Sequence, residues 1–159
     1  MSKYVFFWSG PFSNWTKVQF KYKGIEFASA EQAMMWEKAM VFGDIANAAK
    51  ILDTNDPARQ KAIGRLIENY DDVVWSESRL EIVINILRHK FRQDADSYRA
   101  LMATDDKILV EASPHDTIWG IGLSADNPLA QDESTWKGTN LLGIALTTVR
   151  NEFKAKSSN

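Results

Sequence analysis

The sequence predicts a mostly helical α+β protein with a small antiparallel sheet near its N-terminus. Short aromatic or alternating stretches, which are typical of strands, lie mainly in the first 27 residues, whereas later segments carry apolar residues at helical spacing. The length of 159 residues fits one domain with a substantial core. We therefore expect a single domain over residues 1–154 and a polar tail at 155–159.

Two N-terminal stretches predict the strands. Residues 4–8 are apolar and aromatic and run into a Ser-Gly-Pro turn, which indicates a short buried strand. Residues 18–27 alternate in polarity around Lys23 and Gly24, which predicts a hairpin.

Phe12 and Trp15 enclose a polar pair, Ser13 and Asn14. One interpretation is an Asx or Ser turn held in place by the two aromatic side chains. The other is a loop whose asparagine side chain contacts a ligand. The sequence leaves both interpretations open.

The rest of the chain is predicted to be helical except for one strand and one long loop. Ser29 is a plausible N-cap, and Pro57 suits the first turn of a helix. Apolar residues recur at helical spacing between residues 80 and 91. We expect a first helix within residues 27–44, after Ser29 and up to about Gly43, and further helices at residues 45–52, 58–69, 77–91, 97–102 and 141–154. A connection is expected at 71–75 and a strand at 107–111.

The first helix places two charged side chains in an apolar stripe. At about 100° per residue, Glu31, Met35, Lys38 and Phe42 fall within about 60° of one another. Glu31 and Lys38 are seven residues apart, too far for an ordinary surface ion pair on one helix. Either both side chains extend to solvent from the ends of the stripe, or the stripe lines a pocket in which they react.

The predicted helix at 58–69 carries Arg59, Lys61 and Arg65. Arginines and lysines on such a helix are usually solvated. Alternatively, they contact phosphate, for which a planar guanidinium is well shaped.

Residues 113–140 form a long glycine- and proline-containing loop, and long loops in compact domains are often functional. Asp116 precedes the sequence Trp119-Gly120-Ile121-Gly122, in which an indole beside two glycines suits stacking on a nucleobase or closure over a sugar. A buried tryptophan at a tight turn is the alternative. Residues 138–143, which include Asn140, suit a phosphate at a helix N-terminus but lack the Walker and dinucleotide spacings.

Composition excludes several classes of function. The chain has no cysteine, so disulfides, thiolate catalysis and cysteine-bound metals are excluded, and His89 and His115 lack metal-ligand spacing. Asp105 and Asp106 fit a turn better than a cation site. The net charge of −2 gives no global attraction to nucleic acid or membrane. With no signal-peptide core or membrane span, we expect a cytoplasmic protein without metal or organic cofactor.

Several short motifs occur together and in order, and their combination resembles the NADAR family, also called YbiA-like. The resemblance covers about residues 6–150. Its motifs are Phe12 to Trp15, Ala30-Glu31-Gln32, Glu37-Lys38-Ala39, Phe42-Gly43-Asp44, Gly64-Arg65, Trp75, Lys90-Phe91, Leu109 to Ser113, Asp116 with Trp119 to Gly122, Gly138 to Asn140, and Leu142-Gly143.

The resemblance implies an N-glycosidase of mostly helical α+β fold. Some members are similar to hydrolases of phosphoribosylamino-pyrimidine intermediates of riboflavin synthesis. Others remove ADP-ribose from guanine in DNA or RNA, and these include antitoxins paired with DNA ADP-ribosyltransferases. The chain has Gln32 where the riboflavin-linked bacterial branch shows histidine, and Trp15 where phenylalanine is usual. These departures favour the ADP-ribosyl-guanine substrate over a small ribosylated base.

By the same resemblance, Glu31, Lys38, Asp116 and Trp119 map onto active-site positions of the family. Cleavage of a C–N glycosidic bond needs a proton for the leaving nitrogen and stabilisation of the anomeric carbon. Lys38 is expected to attack that carbon or to orient the leaving base, Glu31 to shuttle the proton and Asp116 to hold the sugar. The expected substrate-binding residues are Ser13, Asn14, Arg65, Trp119, Gly120, Gly122 and Asn140. A non-catalytic binder of ADP-ribose or an NAD-derived ligand is the alternative from another functional class.

Overall fold

The computed structural model describes residues 3–157. It contains two compact units: the central unit, Asn14–Ala95, and the terminal unit, formed by residues 3–13 and 96–157. A single domain over residues 1–154 stays a prediction. The expected polar tail is helical as far as Ser157, and its last two residues lie outside the described part.

The elements follow one another in an order close to the predicted one. The strands are β1 Tyr4–Phe7, β2 Phe20–Tyr22, β3 Ile25–Phe27 and β4 Ile108–Glu111. The helices are α1 Ala30–Val41, α2 Ile45–Leu52, α3 Pro57–Gly64, α4 Asp72–Gln93, α5 Ala95–Met102 and α6 Leu141–Ser157.

The predicted small antiparallel sheet is the hairpin of β2 and β3. Phe20 pairs with Phe27, and Tyr22 pairs with Ile25. Lys23 and Gly24 both adopt positive φ angles, 53° and 77°, as a two-residue type I′ turn requires. The fold class, a mostly helical α+β protein with a small antiparallel sheet, is confirmed.

In the central unit, α1 packs against α2, α3 and α4. Ser29 caps α1 as predicted, since its hydroxyl oxygen accepts a hydrogen bond from the Gln32 backbone N–H at 3.1 Å. At Gly64, an added Cβ would lie 2.2 Å from the sulfur of Met35, so α3 and α1 approach closely there. This contact brings the C-terminal end of α3 to the middle of α1.

Two predicted boundaries in the central unit are wrong. α3 ends at Gly64 and not at residue 69, because Arg65 forms its C-cap. α4 begins at Asp72, so most of the predicted connection at 71–75 is helix. The cause is Asp71, whose side chain accepts hydrogen bonds from the backbone N–H groups of Val73 and Val74 and starts the helix there.

In the terminal unit, β1 pairs with β4 in parallel, which the sequence analysis did not predict. Tyr4 lies opposite Ile108 and Phe7 opposite Glu111. A buried cluster forms around these strands from Tyr4, Val110, Ile121, Leu123 and Ala130. The predicted loop at 113–140 is irregular except for two short 3-10 turns, Pro128–Gln131 and Glu133–Thr135.

Within residues 3–157, no helix has the length and apolar composition needed to cross a membrane.

Candidate active site

Glu31 lies in the first turn of α1 and is only 4% exposed. Its backbone N–H donates a hydrogen bond to the carbonyl oxygen of Asn14 at 2.9 Å, which ties the start of α1 to the preceding loop. A carboxylate buried to this extent does not extend into solvent. The structure therefore disagrees with the solvent-exposed interpretation of Glu31.

Lys38 lies two turns further along α1 and is half-buried. Its Nζ donates a hydrogen bond to the carbonyl oxygen of Gly64 at 2.9 Å. The same ammonium lies 4.7 Å from the ring centroid of Tyr70 and 5.9 Å from that of Trp75. A backbone carbonyl and two aromatic rings thus hold the amine in one place.

The pKa of Lys38 lies below its usual value. Burial is the main cause, because it removes water from the charged form. The carboxylate of Glu31 opposes this shift, and the guanidinium of Arg65 adds to it. Lys38 is therefore easier to deprotonate than an ordinary surface lysine, as a nucleophilic amine requires.

Two of the predicted substrate-binding residues belong to the same surroundings. Arg65 acts on Lys38 electrostatically, and Asn14 contacts Glu31 through its backbone. The Asn14 side chain is 6% exposed, and its Oδ1 atom is buried with no hydrogen-bond partner among residues 3–157. Contact between the Asn14 side chain and a ligand stays a prediction.

Asp116 organises the turn that carries Trp119 in the terminal unit. Its Oδ1 accepts hydrogen bonds from the backbone N–H groups of Ile118 at 2.9 Å and Trp119 at 2.8 Å. Gly120 packs so closely that an added Cβ would lie 2.9 Å from the Glu111 carbonyl oxygen. Gly122 has φ +71°. Tight backbone packing thus accounts for both glycines, and the Trp119 side chain remains partly exposed.

The predicted phosphate cradle at residues 138–143 is occupied by the protein itself. The Asn140 side chain accepts a hydrogen bond from the Glu111 backbone N–H and donates one to the Leu109 carbonyl oxygen, both at 3.0 Å. A Cβ on Gly143 would lie 2.1 Å from that same Leu109 oxygen, and one on Gly138 would lie 2.3 Å from the Gly120 oxygen. These residues join the start of α6 to β4, and substrate binding by Asn140 stays a prediction.

Ser13 is 7% exposed, and its backbone N–H donates a hydrogen bond to the Gly10 carbonyl oxygen at 3.1 Å. This backbone bond closes a turn over residues 10–13, at the predicted Ser-Gly-Pro turn, and the Asx or Ser turn at Ser13 and Asn14 stays a prediction. Contact between Ser13 and a ligand stays a prediction.

No group of three or more His, Cys, Asp or Glu side chains within residues 3–157 could hold a metal ion.

The central unit also has a cavity of about 570 Å³ that none of the predicted site residues lines. Its lining residues are Asn47, Lys50, Asp53, Thr54, Arg59, Ile63 and Leu66.

Comparison with known proteins identifies the family. The family model described as the NADAR domain matches residues 6–154. The chain belongs to the NADAR family. It is 40% identical to an N-glycosidase of Acanthamoeba polyphaga mimivirus over 94% of this chain and 96% of that protein. It is 30% identical to a riboflavin biosynthesis protein of Vibrio vulnificus over 74% of this chain and 29% of that protein. The NMR structure of the Escherichia coli protein YbiA matches with a TM-score of 0.82 and 25% identity, covering 100% of this chain and 90% of that chain.

Gln32, one of the departures from the riboflavin-linked branch, has a structural role in this NADAR domain. Its side-chain amide nitrogen donates to the carbonyl oxygens of Ile51 and Thr54 at 3.1 and 3.0 Å, and its oxygen accepts from the Ala28 N–H at 2.7 Å. The side chain is 2% exposed. Gln32 therefore joins α1 to the end of α2, directly beside Glu31.

Sequence reasoning missed one contact of the candidate site and the structural role of a second buried carboxylate on α1. Tyr70 was not singled out as a contact of Lys38, because it lies in a loop 32 positions away and no local pattern marks the pair. Glu37 is a second buried carboxylate on α1, and it accepts hydrogen bonds from the Tyr22 hydroxyl at 2.9 Å and from Lys23 Nζ at 3.0 Å. Glu37 stands in the motif Glu37-Lys38-Ala39, but no local pattern links it to the hairpin.

Proposed function

We propose that this NADAR protein hydrolyses the N-glycosidic bond that joins ADP-ribose to guanine in DNA or RNA. It would thereby reverse guanine ADP-ribosylation in the cytoplasm and counter a DNA ADP-ribosyltransferase. The enzyme class, a hydrolase of N-glycosyl compounds, is supported by the relatives that carry the name N-glycosidase. The observation that carries the proposal is the pair on α1: a buried carboxylate, Glu31, and an amine with lowered pKa, Lys38.

The chemistry of the bond explains why this pair is suitable. As the C–N bond breaks, positive charge develops on the anomeric carbon and negative charge on the leaving nitrogen. The neutral Lys38 amine attacks the anomeric carbon, and the guanine nitrogen leaves with a proton from Glu31. The lysine nitrogen then passes one proton to the ring oxygen, so that the ribose ring opens to an iminium on Lys38. Water then adds to this carbon, with Glu31 as the base, and releases ADP-ribose and the free lysine.

The surroundings of the pair supply polar contacts for such a substrate. Arg65 carries an exposed guanidinium suited to a phosphate of the substrate. Ligand contact by Asn14, whose carbonyl oxygen accepts the Glu31 N–H, is part of the proposal. For Asp116 and Trp119, the family resemblance alone supports the proposed roles of holding the sugar and of stacking on a base or ring.

The direct test uses an oligonucleotide that carries a single ADP-ribosylated guanine. We expect the protein to release free ADP-ribose and restore the unmodified oligonucleotide, both of which mass spectrometry detects, with full activity in chelator. Saturable binding without release would overturn the proposal in favour of a non-catalytic binder.

A second candidate substrate is a phosphoribosylamino-pyrimidine of riboflavin synthesis. The observation in its favour is the 30% identity to the riboflavin biosynthesis protein. The same assay with this small substrate separates the two, because the proposed enzyme should show the larger kcat/KM on ADP-ribosylated guanine. A larger value on the pyrimidine would make the second candidate correct.

Two substitutions separate the two functions assigned to Asp116. Asp116→Asn keeps an oxygen for the N–H groups of Ile118 and Trp119 but removes the charge, so the melting temperature should change little while kcat falls about tenfold or more. Asp116→Ala should lower both. Thermal unfolding and steady-state kinetics make the comparison, and wild-type activity of Asp116→Asn would leave Asp116 a purely structural role.

A further inference from the structure

We propose that the exposed indole of Trp15, together with Lys61, forms a stacking surface for a nucleobase of the strand that carries the modified guanine. This inference rests on the proposed function and narrows its substrate to nucleic acid instead of a free ribosylated base. The inference assigns binding of the nucleic-acid strand to a surface beside Glu31 and Lys38. All the residues of this surface lie in the central unit.

The first step is the geometry of the pair. Trp15 is 46% exposed although it follows the buried Asn14, so a large aromatic face meets solvent at the end of a well-ordered turn. Lys61 Nζ lies 5.9 Å from its ring centroid. An aromatic face beside a cation suits single-stranded nucleic acid, because the base stacks on the ring while the ammonium meets the adjacent phosphate.

The second step is the position of the pair next to Glu31 and Lys38. On one side, Trp15 directly follows Asn14, whose carbonyl oxygen accepts the Glu31 backbone N–H at 2.9 Å. On the other side, Lys61 lies one helical turn before Gly64, whose carbonyl oxygen accepts the Lys38 Nζ–H at 2.9 Å. Along the chain, the stacking surface is therefore one residue from the first contact and one helical turn from the second, which links it to the backbone that holds Glu31 and Lys38.

The third step is charge. The whole chain has a net charge of −2, yet residues 57–65 contain Arg59, Lys61 and Arg65 and no carboxylate. All three cations are exposed, and so is Lys17, two residues after Trp15. Such a local basic segment beside an exposed aromatic ring favours a phosphodiester strand over a small ligand, because a small ligand needs fewer cations.

The experiment compares two substrates that differ only in the strand: ADP-ribosylated guanosine and an oligonucleotide with one ADP-ribosylated guanine. Trp15→Ala should raise KM for the oligonucleotide by roughly five- to 150-fold, the usual effect of losing one base–aromatic stack, and leave the nucleoside kinetics within about twofold. Trp15→Phe, which keeps a ring, should recover most of the loss. Trp8→Ala is the matched control, since Trp8 is an exposed indole, 66% exposed, in the other unit.

Equal losses on both substrates would overturn the inference, because Trp15 would then act on the ADP-ribose or on the fold. No loss on either substrate would also overturn it.

A binding measurement separates this inference from the proposed function. Fluorescence anisotropy with an unmodified single-stranded oligonucleotide needs no turnover. Trp15→Ala and Lys61→Ala should each weaken binding, and Lys61→Ala should also reduce its salt dependence. If wild-type protein binds the strand through Trp15 but cleaves neither substrate, the stacking surface stands and the proposed reaction fails. Unchanged binding in Trp15→Ala overturns the surface even if cleavage is observed.

Discussion

Glu31→Gln is expected to lower kcat on ADP-ribosylated guanine by at least about a hundredfold and to leave the fold intact. General acid–base catalysis by a positioned side chain contributes roughly 10²–10⁴-fold, and glutamine keeps the shape of the side chain but cannot transfer a proton in the same way. The backbone N–H of residue 31 still donates to Asn14, so the start of α1 is preserved. Steady-state kinetics and circular dichroism measure the two effects.

The matched control is Glu37→Gln, because both carboxylates are buried on α1, 4% and 7% exposed. Glu37 is engaged by Tyr22 and Lys23, so its substitution should lower the melting temperature and leave kcat nearly unchanged. A larger loss of kcat in Glu37→Gln than in Glu31→Gln would contradict our mechanism, because it would make Glu37 and not Glu31 the acid–base residue.

The sequence predicted those parts of the fold that depend on local patterns. Ser29 as an N-cap, the turn at Lys23 and Gly24 and the extent of α2 all follow from local rules, and the structure agrees. The sequence analysis missed the start of α4 because aspartate is equally common in turns and at helix N-caps, so Asp71 fits both. The parallel pairing of β1 with β4 joins residues about a hundred positions apart, and no local pattern contains that information.

The candidate site also combines features that local sequence patterns predict with features that depend on contacts between distant residues. An acid and an amine in one apolar stripe were evident from helical spacing, which left a solvent-exposed and a pocket interpretation open. The burial of Glu31 favours the pocket interpretation. What holds Lys38 was not evident, because the Gly64 carbonyl and the Tyr70 ring reach it only through the packing of α3 and the following loop. Likewise, the glycines and Asn140 at the start of α6 suggested a ligand cradle, although their sequence is equally suited to close backbone packing.

Lys38→Ala is expected to lower kcat by at least about a hundredfold, because it removes the nucleophile of the proposed covalent step. Borohydride added during turnover should reduce the iminium and leave a stable ADP-ribosyl adduct on Lys38, which peptide mass spectrometry locates. Lys50→Ala, an exposed lysine on α2, is the control and should keep both activity and adduct. Full activity of Lys38→Ala together with no adduct would rule out covalent catalysis at this residue.

A second lysine with a lowered pKa, Lys90, means that the position of the adduct must be determined and not only its presence. Burial lowers its pKa to about 7, so it too is a readily deprotonated amine, yet its side chain is fully buried. Since a nucleophile must also reach the substrate, the adduct should form on the half-buried Lys38 and not on Lys90. An adduct on Lys90 would contradict the mechanism even if Lys38→Ala were inactive.

The pH dependence tests the electrostatic part of the same mechanism. Only the unprotonated amine attacks, and only a protonated Glu31 supplies the proton that the leaving nitrogen needs. We therefore expect a bell-shaped profile, in which kcat/KM rises with pH through the pKa of Lys38 and falls where Glu31 loses its proton. Arg65 lowers that pKa, and Arg65→Ala should therefore raise it and move the rising limb to higher pH. Glu31 acts in the opposite direction, since its carboxylate stabilises the ammonium, and the residual activity of Glu31→Gln should rise at lower pH than that of the wild type. A limb that neither substitution moves would show that the titrating group is not Lys38, because both charges act on its pKa.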